Sequence, residues 1–110
     1  MTPFAIAGIQ MFLGHGTNVD AMRQRIDLTM HLYPWVQMVI FSELAVFGPM
    51  LHHAQPLPGG IEEEFRTIAR HHRIWLVNGS MYERREGSIY NTTSIIDPEG
   101  DVVGRYSKMF

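Results

Sequence analysis

Two short apolar runs separated by one amphipathic segment limit the folds open to this 110-residue chain more than any other feature. Phe4 to Met11 and Val36 to Ser42 are too short for helices in a packed domain and suit strands buried on both faces. Between them, Thr17 or Asn18 is placed to cap a helix running to about Leu32. Asp20 falls in its first turn, and Val19, Met22, Ile26 and Met30 recur at spacings of three and four. Pro34 ends it. Strand, helix and strand in immediate succession imply a parallel pair joined by a right-handed crossover. Both strands then deliver their carboxyl ends to one sheet edge, and the crevice beyond such ends is where open α/β sheets bind ligands.

The rest of the chain continues the alternation. Leu44 to Gly60 carries Pro49, Pro56 and Pro58 with little periodicity, and it reads as a long loop over that edge. Gly60 to His72 is a second helix whose charge order complements its dipole: Glu62, Glu63 and Glu64 open it, and Arg70, His71, His72 and Arg73 close it. Ile61, Phe65, Ile68 and Ala69 form its buried face. Ile74 to Tyr82 is a third strand, followed by a polar turn from Glu83 to Gly87 with Glu83 on a solvated face. Ser88 to Ile96 and Asp101 to Tyr106 form a hairpin across Asp97-Pro98-Glu99-Gly100, where Pro at the second and Gly at the fourth position suit a type I turn. The fold class is α/β.

Composition excludes several functions. With 45% hydrophobic and 18% charged residues the chain has the makeup of a packed domain. Its formal charge of −2 gives no reason to expect nucleic acid or an anionic membrane as partner. Pro3 to Leu13 has no basic flank and is interrupted by Gly8 and Gln10, so it is neither a signal peptide nor a membrane span, and the expected location is cytoplasmic. The histidine pairs His52-His53 and His71-His72 are adjacent, without the spacing that sets two imidazoles on one helix face, so no metal site is expected. Gly8, Gly14 and Gly16 do not make a phosphate loop. Asn91-Thr92-Thr93 matches a glycosylation acceptor but falls in an expected strand of a chain without a secretion signal.

Two charged residues stand where chemistry would be done. Glu43 closes the run Met38 to Ser42, and Lys108 follows the second arm of the hairpin. A carboxylate and an ammonium so placed are what an acyl-transfer site uses, as proton acceptor and as stabiliser of developing negative charge. The segments Val39-Ile40-Phe41-Ser42-Glu43-Leu44 with Phe47-Gly48, and Tyr90-Asn91-Thr92-Thr93 through Asp97-Pro98-Glu99-Gly100 to Tyr106-Ser107-Lys108, resemble the nitrilase, or carbon-nitrogen hydrolase, superfamily. Phe4 to Met11 is similar to its first strand. Ser42 departs from the family, which more often has proline there.

The resemblance implies a Glu-Lys-Cys triad in which Glu43 takes the proton of a cysteine thiol and Lys108 stabilises the oxyanion, with no cofactor. The substrate would be a small-molecule amide or nitrile. Apart from the resemblance, Phe47 and Tyr82 suit either a pocket wall or the buried core, the core being the commoner place for such residues, and Phe47 is kept as a candidate substrate contact. It also implies that residues 1–110 are the N-terminal portion of one domain, the N-terminal half of a four-layer α-β-β-α sandwich. The chain contains no cysteine, so by itself it is expected to be inert. The alternative is a non-catalytic nitrilase-like module that self-associates. Either way a half-sandwich would leave apolar residues such as Val39, Phe41, Val77, Ile95 and Val103 to be covered, which favours a homo-oligomer or a missing half.

Overall fold

The computed structural model describes residues 3–14 and 16–109. Its elements are β1 (Ile6–Ile9), α1 (Val19–Leu32), β2 (Met38–Phe41), a 3-10 turn at Leu51–His53, α2 (Gly60–His72), β3 (Trp75–Val77), β4 (Met81–Arg85), β5 (Ser88–Ile96) and β6 (Val102–Met109). The first three strands pair in parallel in chain order, with Ile6 opposite Met38 and Met38 opposite Trp75. β5 then pairs antiparallel with β3 and β4 on one side and with β6 on the other. Successive right-handed crossovers step the same way across the sheet, so both helices lie on one face. No described helix is long and apolar enough to cross a membrane.

Strand alternation decides which residues the helices cover. Val39, Phe41, Leu76 and Ile96 pack with Val19, Met22 and Ile26 of α1 and with Phe65, Ile68 and Ala69 of α2. The alternate residues Ile6, Met38, Ile40, Trp75, Val77 and Ile95 point the other way. Ile6 is 57% exposed, and the other five are half-buried. The expected open face therefore needs correction. Val39 and Phe41 lie under the helices, while Val103 stands at the register shift that separates the pairs Ile95–Gly104 and Ile96–Val102.

The expected strand Ile74 to Tyr82 is interrupted. Between the pairs Val77–Ile95 and Met81–Thr92, three residues, Asn78, Gly79 and Ser80, oppose only Thr93 and Ser94. This is a β-bulge. The polar turn is also shorter than expected, because β4 runs through Arg85 and reverses at Glu86-Gly87, with φ of 54° and 79°. Two left-handed residues make the tight turn whose twist matches a hairpin. Glu83 is consequently within a strand and 4% exposed, not solvated; its Oε1 accepts the hydroxyl proton of Thr92 at 2.7 Å. That bond uses the single hydroxyl proton of Thr92, so Ser107, 2.9 Å away, donates to Thr92 in turn. The sixth strand also outruns its expected end at Tyr106 and carries Lys108 within it.

Helix α2 grips the β5–β6 hairpin through two residues one turn apart. Arg66 Nε donates to the carbonyl of Gly100 in the turn at 2.6 Å. Glu62, 2% exposed, accepts Arg105 Nε at 2.8 Å and Nη2 at 2.5 Å, and the Ser94 hydroxyl at 2.6 Å. Burial acts to raise the Glu62 pKa, but the hydrogen bonds from Arg105 and Ser94 outweigh it and hold the carboxyl below its ordinary 4.5. A folded-state value below the unfolded one means that this network contributes in full above about pH 4.5 and is lost as pH falls from there. The unfolding midpoint should therefore drop on acidification below about 4.5. Glu62→Gln should flatten that dependence and cost about 3 kcal/mol by chemical denaturation, the low end for a broken buried pair because Arg105 can regain water.

Candidate active site

Glu43 owes its position to the bulge. The chain leaves β2 at Phe41, and Leu44 adopts a left-handed φ of 58°, a conformation that costs a non-glycine residue about 1–2 kcal/mol. It is held there because Leu44 N donates to Ser80 Oγ at 2.7 Å. Asn18, at the start of α1, ties down the same turn: its Nδ2 donates to the Ala45 carbonyl at 3.1 Å and its backbone N–H to that of Val46 at 2.8 Å. Gly79 completes the contact. A Cβ there would lie 2.1 Å from the Ser42 carbonyl oxygen, and its φ of +80° is one that glycine alone adopts freely.

β6 runs in the same direction as β2, so its carboxyl end arrives at the same sheet edge. Lys108 stands opposite Asn91 of β5 in the ladder. Lys108 Nζ donates to Glu43 Oε1 at 3.3 Å, and Asn91 Nδ2 donates to Glu43 Oε2 at 3.2 Å. The two sequence-predicted charges thus meet on one edge. They face a cavity of about 260 Å3 whose other walls include Ser80, Asn91, Thr93 and Tyr106. Thr93 Oγ1 is engaged in donating to the Gly79 carbonyl at 2.6 Å, which ties the cavity wall to the bulge. A wider concavity of about 350 Å3 at Gln10, Met11, Phe12 and Arg25 brings together no acid–base pair.

Other candidates fall elsewhere. Phe47 is 7% exposed in the core, with its ring stacked on His53 at 4.9 Å, and it is not among the residues lining the cavity. The loop that carries it is less a cover than a plug, since Ala45, Val46 and Phe47 all join the core. Gln55 extends the sheet by an isolated bridge to Glu83. His72 Nε2 lies 2.7 Å from Asp27 Oδ1, so its partner is α1 rather than its own helix dipole. Among the described residues no three His, Cys, Asp or Glu side chains group so as to hold a metal ion; His15 is outside them. What the sequence reading missed is Asn91 and the pair Gly79-Ser80. Asn91 had a signal, its place in the Tyr-Asn-Thr segment.

The sequence matches the carbon-nitrogen hydrolase family over residues 6–110. The chain belongs to that family. It is 30% identical over 57 residues to the omega-amidase NIT2 of Homo sapiens, covering 52% of this chain and 21% of that protein. To the deaminated glutathione amidase of Yersinia enterocolitica it is 29% identical over 114 residues, covering 94% of this chain and 39% of that one. Among solved structures, Nit3 of Saccharomyces cerevisiae, a member of branch 10 of the nitrilase superfamily, superposes with a TM-score of 0.86 at 18% identity. That match covers 97% of this chain and 44% of Nit3. The fold is therefore the nitrilase fold, and the chain spans less than half the length of these relatives.

The bulge contact is open to direct test. Gly79→Ala should destabilise the chain by more than about 2 kcal/mol, combining left-handed strain with a backbone clash. Ser80→Ala, which removes one hydrogen bond, should cost about 1 kcal/mol. Chemical denaturation of both variants measures the ratio.

Proposed function

We propose that this chain carries two of the three catalytic groups of an amidase-type carbon-nitrogen hydrolase, Glu43 as general base and Lys108 as oxyanion stabiliser. The observation that carries the reading is the 3.3 Å contact between the Lys108 ammonium and the Glu43 carboxylate at the carboxyl edge of the sheet. In the intact site Glu43 takes the proton of a cysteine thiol, and the thiolate attacks the carbonyl carbon of a small amide. The resulting oxyanion sits against Lys108 Nζ. Collapse expels ammonia or an amine, which leaves with a proton from the Glu43 carboxyl. Water activated by the regenerated carboxylate then hydrolyses the thioester. Amides are favoured over nitriles because the curated relatives are named as amidases.

None of the 110 residues is a cysteine, so the chain alone should show no hydrolysis above background. A chimera in which it replaces the matching segment of the Yersinia enterocolitica amidase restores a cysteine-bearing portion. We expect that chimera to hydrolyse amides, with Glu43→Gln and Lys108→Met each lowering kcat by about 100-fold or more. An active Glu43→Gln chimera would overturn the assignment.

A second reading, a self-associating module, is favoured by the open sheet face. Ile6, Met38, Ile40, Trp75, Val77 and Ile95 line it in adjacent rows. Were about 400 Å2 of apolar surface left in water on such a face, it would withhold on the order of 10 kcal/mol at about 25 cal/mol per Å2, as much as a whole domain's stability. On this reading a cytoplasmic homo-oligomer pairs sheet to sheet, and Ile40→Asp dissociates it in sedimentation velocity. A monodisperse wild-type monomer that unfolds cooperatively would refute it.

A further inference from the structure

Glu43 is held by two donors on different strands, and they differ in kind. The Lys108 side chain is 61% exposed and that of Glu43 is 59% exposed, so their contact joins two long, solvated groups. Such pairs forfeit side-chain entropy and tether weakly. Asn91 is 8% exposed and lies in the middle strand of three, opposite Tyr82 on one side and Lys108 on the other. A carboxylate can only accept, so the side of the amide turned to Glu43 is its NH2, which leaves Oδ1 as the other end.

That Oδ1 is buried and has no hydrogen-bond partner among the described residues. A half-satisfied asparagine is a poor choice for stability at a buried strand position, where an apolar side chain of similar size would leave nothing unpaired. The side-chain hydrogen bond that Asn91 does make goes to Glu43. We propose that Asn91 is a positioning residue for Glu43, which rests on the reading of Glu43 as the base. By engaging Oε2 it prevents rotation of the carboxylate and leaves Oε1 to Lys108. A general base acts only when its accepting lone pair points at the proton, and two donors on separate oxygens fix that direction where one flexible lysine cannot.

The test uses the 110-residue chain itself and needs no turnover. In 15N-resolved spectra the Asn91 side-chain NH2 signals should move on Glu43→Gln and move less on Lys108→Met. Asn91→Val should leave the unfolding midpoint unchanged or raise it. In the same variant the side-chain order parameter of Glu43 should fall toward that of Glu86 in the exposed turn. Asn91 signals unmoved by Glu43→Gln, an unchanged Glu43 order parameter, or loss of stability or unfolding in Asn91→Val would each overturn the proposal. If the base lies elsewhere, the Glu43→Gln chimera stays active while the Asn91 contact persists. The two ideas therefore fail by different signs.

Discussion

The contact between the end of β2 and the bulge at Asn78-Gly79-Ser80 is the constraint on which the site depends. Strand ends fray and strand-following turns wander unless something fixes their backbone. Here the missing Cβ of Gly79 lets the Ser42 carbonyl come closer than any other residue would permit, and the Ser80 hydroxyl holds Leu44 in a left-handed conformation. The same bulge is joined from the far side by the Thr93 hydroxyl on β5. One irregularity thus locks the turn that bears Glu43 to the strand that bears Asn91. Bulges concentrate beside active sites because they re-aim side chains without breaking a sheet.

The helical side of the sheet does a complementary task. Glu62 and Arg66 project from one face of α2 and hold the β5–β6 hairpin at its middle and at its turn. Lys108 is three residues beyond Arg105 on the same strand but on the opposite face. A bidentate ion pair between buried Glu62 and the more exposed Arg105 on one face therefore fixes the twist and register that present the ammonium on the other. Such a pair adds little net stability over an apolar substitute. Its value lies in geometry: Glu62 accepts from both β5, through Ser94, and β6, through Arg105, and a register slip of β6 would break the bidentate match.

Much of this was legible in the sequence. Helix spans were readable because Pro34 and the acid-to-base order of residues 62 to 73 are local signals; Asn18 stands at the N-cap position as expected, but its side chain bonds Gly14 and Ala45 and makes no side-chain cap bond. Parallel topology sends Glu43 to the carboxyl edge of the sheet, but that Lys108 meets it there was implied by the family resemblance, whose chemistry needs the two together. The bulge was not. Asn78-Gly79-Ser80 reads as an ordinary interruption, and the close approach that demands Gly79 comes from Ser42, 37 positions away in sequence by their numbers. Glu83 was misread because a strand side chain's surroundings are set by its partners: polarity suggested water, whereas Thr92 and Ser107 supply a buried network. Val39 and Val77 look alike in sequence, and only the register of alternate residues sends one under the helices and the other to the open face.

That open face bears on the chemistry as well as on assembly. Isolated at the present exposure, an ion pair such as Glu43 with Lys108 is worth no more than about 1 kcal/mol. The interaction of two charges at 3–4 Å rises several-fold when water is displaced and the effective dielectric falls from that of bulk solvent to that of a protein surface. The cavity holding the pair is lined by Thr93 and Tyr106, which stand opposite each other on the same sheet face as Ile95, Val77 and Ile40. A layer that covered that face as far as Thr93 and Tyr106 would also close over the pair and dehydrate it. On the proposed reading, the fold and the site thus share one requirement: the surface whose exposure is costly to the folded chain is the same surface whose covering would strengthen the hold of Lys108 on a developing oxyanion.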